Sequence, residues 1–166
     1  MENVLIIGAG GAGLSCAIEL KRAGWHPVVI TKGTVFDGKT AAAQGGIQAA
    51  FGEGDSWEAH MQDTLKAGGG AGRPALAESL AKGAKGAIAW LESCGVQFDR
   101  EGDAYRLSKA AGLSAPRVLS VGDQAGRGIV EALLAIVRTE EIEVRENCLV
   151  KSIERNRQGN FHLQLI

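Results

Sequence analysis

Residues 4–13 constrain this chain more than any other stretch, because Val4-Leu5-Ile6-Ile7 runs straight into Gly8-Ala9-Gly10-Gly11-Ala12-Gly13. A continuous apolar run of β-formers reads as a buried parallel strand, and the glycines after it stand at G-x-G-x-x-G spacing. Each glycine has its own part. Gly8 permits a tight turn, Gly10 lets the backbone approach a pyrophosphate, and Gly13 lets the following helix press against the sheet. Unpaired N–H groups at that helix's start, together with its dipole, favour an anion. The pattern predicts a dinucleotide site, although packing alone also produces Gly-rich strand–helix turns.

The helix is expected to run to about residues 21–23, with Leu14, Ala17 and Ile18 on one face and Gly24 as its stop. Pro27-Val28-Val29-Ile30 then reads as a second strand, completing a βαβ-like opening. A simple NAD site would carry Asp or Glu at that strand's end for the ribose hydroxyls. This chain has Thr31-Lys32 there, which argues against an NAD(P) dehydrogenase. The 24 glycines cluster at 8–13, 45–46 and 68–72 without a period, so they imply close backbone approach rather than collagen or disorder.

Residues 33–54 are rich in Gly, Ala and Thr, and at their centre Lys39-Thr40-Ala41-Ala42-Ala43-Gln44-Gly45-Gly46 lets backbone lie flat against a planar ligand or pack tightly at a helix start. Asp55 is the expected N-cap of a second helix, with Glu58 three residues on as in a capping box. Trp57, His60, Met61, Thr64 and Leu65 share one face of it up to Gly68, with His60 a hydrogen-bonded core histidine and Trp57 and Met61 in the core. Pro74 opens a third helical stretch whose apolar positions are Leu76, Leu80, Ala84, Ala87, Ile88 and Leu91, with a break at Gly83 and Gly86. Residues 96–98 and 104–107 are expected to pair as a hairpin. After a loop through Pro116, a helix over 128–138 buries Ile129, Leu133, Ile136 and Val137. Three strands follow at 142–145, 148–155 and 161–166, the last two joined by an Asn156-Arg157-Gln158-Gly159 turn.

A formal net charge of −1 gives no electrostatic reason for nucleic acid or an anionic membrane surface as partner. Cys16, Cys94 and Cys148 form no C-x-x-C, so they read as small buried residues rather than a zinc or disulfide set. The sequence shows no signal segment and no bilayer-length apolar run, which predicts a cytoplasmic chain without direct membrane insertion. Its end in a polar hairpin, with no further apolar strand, reads as a cut.

The blocks at 8–13, Thr31-Lys32-Gly33, Ala43-Gln44-Gly45-Gly46-Ile47, His60-Met61-Gln62-Asp63-Thr64 and Gly122-Asp123-Gln124-Ala125-Gly126-Arg127 together resemble one family. They are similar, in order and spacing, to the flavoprotein subunits of succinate dehydrogenase and fumarate reductase and to L-aspartate oxidases. The resemblance implies an α/β, Rossmann-like FAD-binding domain of the glutathione-reductase-like FAD/NAD(P)-binding fold. It further implies that residues 1–166 are the N-terminal part of that domain, incomplete and ending in a β-hairpin, without capping and C-terminal domains. By position, Gly10, Gly11, Ala12 and Gly13 would hold the FAD pyrophosphate, with Gly8 at the turn before them, and Lys32, next to the cofactor-binding Thr31, would lie near the adenosine end. Lys39, Thr40, Ala41, Ala42, Ala43, Gln44, Gly45 and Gly46 would run beside the isoalloxazine.

Departures from the family pattern matter as well. Quinone-linked members carry a flavin-linked histidine where this chain has Lys39, so the resemblance implies noncovalent FAD here. L-Aspartate oxidases carry a glutamate before Gly-Gly-His-Ser, and the matching Ala110-Ala111-Gly112-Leu113-Ser114 lacks both the acid and the histidine. The family's substrate arginine and histidines find no match in these residues, so no catalytic residue and no metal ligand is assigned. The activity implied is hydride transfer between flavin and a C4 dicarboxylate, succinate or fumarate, with an iron–sulfur subunit as partner and a peripheral place at the inner membrane face through it. L-Aspartate oxidase and a non-catalytic flavin-binding fragment are the alternatives.

Overall fold

In the computed structural model, which describes residues 3–166, the opening apolar run forms β1 (Asn3–Ile7), the glycines start α1 (Gly11–Arg22), and the second run forms β2 (His26–Ile30). Then follow β3 (Ile47–Gln48), α2 (Trp57–Ala67), α3 (Pro74–Ser93), β4 (Arg100–Glu101), β5 (Ala104–Tyr105), β6 (Leu107–Ser108) and β7 (Val118–Leu119). The chain closes with α4 (Ala125–Thr139), β8 (Glu143–Arg145), β9 (Val150–Arg155) and β10 (Phe161–Leu165). Two compact units result. One holds the residues up to Ala43 with Gly126–Ile166, and the other holds Gln44–Ala125.

The first unit is built on a parallel sheet in the order β1-β2-β8, with Leu5 opposite Val28 and Val29 opposite Val144. Successive side chains of a strand point to opposite faces, so the burial of Val28, Val29 and Ile30 means both faces of β2 are covered. Leu14, Ala17 and Ile18 of α1 are buried as their spacing requires. At the far end of α1, Gly24 takes φ +85° and donates to the Lys21 carbonyl while Trp25 donates to that of Leu20, a Schellman stop. β9 and β10 form the expected antiparallel hairpin, with Gly159 in the left-handed region of its turn.

Three expectations change here. β1 is parallel but not buried. It lies at the sheet's edge, and Leu5 and Ile7 are exposed. α4 begins at Ala125, and its buried stripe is Val130, Leu133, Leu134 and Val137, with Ile129 and Ile136 at the margin. Cys94 is buried as expected, whereas Cys148 is half-buried and Cys16 faces out from α1.

In the second unit, β3 and β6 flank β7 in an antiparallel sheet, and α2 packs on α3. Ser56, not Asp55, caps α2, its hydroxyl accepting from the Ala59 N–H at 3.2 Å. Asp55 is engaged by an arginine distant in sequence instead. Trp57 and Met61 are only half-buried, and His60 is the one buried residue of α2. α3 runs unbroken through Gly83 and Gly86. It buries Ala77, Ala81, Ile88 and Leu91, leaving Leu76 63% and Leu80 56% exposed. The expected hairpin pairs residues 100–101 with 104–105, while Val96 and Phe98 are buried outside any strand. Among the described residues no helix is long and apolar enough to cross a membrane.

Candidate functional site

The glycine turn is shaped by close backbone approach. Gly8 adopts φ +110° and donates to the Ile30 carbonyl at 2.8 Å, fastening the turn to β2. A Cβ on Gly13 would lie 1.9 Å from the Gly8 carbonyl oxygen, so only glycine lets α1 start this near the strand end. Gly10 caps α1 without a side chain, and the first turn carries no acidic residue. The first N–H groups of a helix have no partner within it, so α1 presents donors and positive dipole to whatever lies before it. One donor is already used: the Gly11 N–H reaches the Thr40 hydroxyl at 3.1 Å.

Gly8, Gly10, Thr31, Lys32, Lys39 and Thr40 line one cavity of about 390 Å³ in the first unit. Six of the residues expected from the sequence therefore come together, two of them lysines, in front of a helix N-terminus with no acidic residue in its first turn. Gly11, Ala12 and Gly13 form the first turn of α1. Residues 38–43 fold back on themselves, with the Ala42 N–H donating to the Gly38 carbonyl and Ala43 to Thr40. Gly126 at the start of α4 seals this segment. It donates to the Ala43 carbonyl at 3.1 Å, and a Cβ on it would meet the Thr40 oxygen at 1.8 Å. Gly126 was not among the expected site residues; its signal in the sequence was its place in the 122–127 block.

Gln44, Gly45 and Gly46 belong to the second unit, where Gln44 and Gly45 are exposed. Gly46 lies flush against β7, since a Cβ there would be 1.9 Å from the Leu119 carbonyl oxygen. β3 continues from it, pairing Ile47 with Leu119 and Gln48 with Val118. Gly46, Ile47, Gln48, His60, Leu76 and Leu80 line a second cavity of about 800 Å³.

Beneath this sheet is an ion cluster whose partners are far apart in the sequence. Arg117, fully buried, donates from Nε and Nη2 to the two oxygens of Asp55 at 2.9 and 2.7 Å, and from Nη1 to Asp63 at 2.5 Å. Ser114 donates to the same Asp63 oxygen through its N–H at 2.7 Å and its hydroxyl at 2.8 Å. Hydrogen bonding from Arg117 holds the Asp55 carboxyl below the usual range, and the Ser114 N–H does the same first for Asp63. His60 is buried beside them with Nδ1 unpartnered among the described residues, so the expected hydrogen bond is absent at that atom. Burial, then the Arg117 charge, pushes its pKa down, leaving a neutral imidazole.

A cradle that a Cβ would fill, an open helix N-terminus and two lysines together fit a dinucleotide carrying a pyrophosphate. The comparisons with known proteins agree. The profile of the FAD binding domain family matches residues 3–162. The L-aspartate oxidase of Vibrio cholerae is 40% identical over 137 residues, 79% of this chain and 25% of the oxidase. The solved Mycobacterium smegmatis Sdh1 complex in the apo form superposes with a TM-score of 0.87 at 28% identity, covering 98% of this chain and 33% of that one. E. coli quinol fumarate reductase FrdA gives a TM-score of 0.85 at 24% identity over 99% of this chain and 29% of that one, a likeness of fold. The chain thus spans a quarter to a third of the length of these proteins. It belongs to the FAD binding domain family, with the α/β fold of that family and FAD as its cofactor.

Proposed function

We propose that this chain supplies the FAD-holding part of an oxidoreductase acting on a four-carbon dicarboxylate. The observation that carries the reading is the glycine cradle before α1, open to an anion and flanked by Lys32 and Lys39. Gly8, Gly10, Gly11, Ala12 and Gly13 hold the pyrophosphate, Thr31 and Lys32 face the adenosine end, and residues 39–46 supply backbone along the isoalloxazine. When bound, FAD supplies the two-electron chemistry, hydride exchange at its N5 with a substrate carbon. The chain's own groups bind and orient the cofactor. Lys39 offers no imidazole for a covalent link, so FAD is held noncovalently.

Two substrates fit the reading. Succinate or fumarate, with an iron–sulfur partner subunit and a place at the inner membrane face, is what the resemblance to the succinate dehydrogenase and fumarate reductase flavoprotein subunits implies, and the likeness to Sdh1 supports that reading. L-Aspartate, oxidised to iminoaspartate, follows from the 40% identity to the Vibrio cholerae enzyme. The Ala110–Ser114 stretch, which lacks the acid and histidine of the aspartate oxidases, weighs on the other side.

An absorbance spectrum of the full-length gene product before and after acid precipitation tests the cofactor. Yellow colour in the supernatant is expected, and colour in the pellet would overturn the noncovalent reading. Gly10→Val should abolish FAD uptake, because its side chain would press on the Thr40 hydroxyl and fill the cradle, while Lys151→Ala should not. Equal flavin in wild type and Gly10→Val would remove the phosphate assignment. Turnover of succinate, fumarate and aspartate by the loaded protein then separates the two substrate readings.

A further inference from the structure

We infer that Arg117 is a positioning residue for the flavin, acting through strand β7. The inference rests on the proposal that residues 44–46 lie along the isoalloxazine, and it concerns what keeps them in place.

The chain of contacts is short. The Arg117 carbonyl accepts from the Ala49 N–H at 2.9 Å, and its own N–H donates to Ser108 at 3.2 Å, so Arg117 lies between β3 and β6. The next two residues are β7, whose Leu119 carbonyl is packed against Gly46 with no room for a Cβ. A displacement of β7 by a few tenths of an ångström therefore moves Gly46. The guanidinium fork decides where β7 sits. It is bonded to Asp55 just before α2, to Asp63 within α2, and to the Ser114 hydroxyl at 3.1 Å, so helix, loop and strand are fixed from one buried side chain. A flat guanidinium makes these bonds in a fixed geometry, and a lysine ammonium cannot reproduce them. Asp63 takes bonds from two directions in this cluster. Its carboxylate is the joint between Arg117 and the 110–114 loop.

The test uses the full-length protein stripped of FAD and titrated with it, in the wild type, Arg117→Lys and Ile88→Val. Ile88 is a fully buried α3 residue outside the ion cluster, so its truncation lowers stability without touching β7 through charge. The expected result is that Arg117→Lys shifts the visible bands of bound FAD and weakens its Kd by about three- to tenfold, the value of one hydrogen bond lost to misplaced backbone. Ile88→Val should leave both unchanged at a temperature where all three are folded. Wild-type bands and Kd in folded Arg117→Lys would overturn the proposal. If Arg117→Lys does not fold, Ser114→Ala replaces it. That exposed hydroxyl bonds both Asp63 and Arg117, and its loss should shift the bands in the same direction, an unshifted spectrum overturning the proposal. A wild type that takes up no FAD fails differently. It would overturn the cofactor reading itself, and the proposal with it.

Discussion

The two units hold backbone in place by opposite means. In the first, Gly8, Gly13 and Gly126 work by having no side chain: each lets one segment lie on another's carbonyl oxygen or turn where an L side chain is strained. In the second, Gly46 makes a similar approach to Leu119, but the strand it rests on is fixed by Arg117, Asp55 and Asp63, three charged side chains out of water. A glycine contact fails by collision, and a buried ion cluster fails by leaving charge unpaired. The first failure is local and graded, whereas the second spreads to every element the cluster joins.

Arg117→Met therefore carries the largest expected effect. It leaves the Asp55 and Asp63 carboxylates buried without their cation, a loss of about 3–5 kcal/mol for a broken buried pair. Denaturant titration of the purified protein should show the midpoint falling accordingly. A loss below 1 kcal/mol would mean that water reaches the carboxylates, and the contrast between the units would collapse. Gly126→Ala comes next, at about 1–3 kcal/mol for overpacking, because its Cβ would meet backbone rather than a side chain that can swing aside. FAD affinity should fall with it, since Thr40 and Ala43 must move. Unchanged affinity would show that residues 40–43 do not touch the cofactor.

This contrast also explains what could be read in the sequence. The β1–glycine–α1 turn was legible because strand, glycines and helix are adjacent, and each residue's part follows from its immediate neighbours. The same holds for the Gly24 stop and the 156–159 turn. The Arg117 cluster was not legible, since its partners stand 62 and 54 residues away and nothing local to Arg117 marks them. The cap of α2 was misplaced for the same reason. Asp55 and Ser56 are both good caps by local rules, and a distant arginine decided between them. In α3, period alone could not show that Leu76 and Leu80 face outward while Ala77 and Ala81 are buried, because both pairs keep a four-residue step.

Acid should separate the units further. The Asp55 and Asp63 carboxyls titrate below their unfolded values, so the stability they contribute is complete above about pH 4 and is lost as pH falls through the folded pKa values. His60 acts at higher pH. Its folded pKa is lowered, so the unfolded chain takes up the proton first and stability falls once pH drops below about 6.5, with a limiting slope of about 1.4 kcal/mol per pH unit. His60→Gln should flatten the stability profile between pH 6.5 and the carboxylate range, as read from denaturant midpoints at several pH values. An unchanged profile would show that His60 gains a proton as readily in the folded protein as in the unfolded one.

The smallest expected effect has the opposite sign, and it sharpens what the glycines mean. Gly86 lies within α3 with open space where its Cβ would be, and it has no positive φ. Nothing in its surroundings requires glycine, and the helix runs through it without the break that its composition suggested. Gly86→Ala should therefore stabilise by about 0.5–1 kcal/mol, since alanine loses less backbone freedom on entering a helix. Gly126→Ala, also at a helical position, should destabilise, because α4 rests there against the Thr40 carbonyl. The pair isolates the cause, as both changes add one methyl group to a helix and only the neighbouring backbone differs. A Gly86→Ala loss in thermal midpoint would mean that another surface lies against α3 at this point. The glycine would then belong with Gly13, Gly46 and Gly126 as a site of close approach.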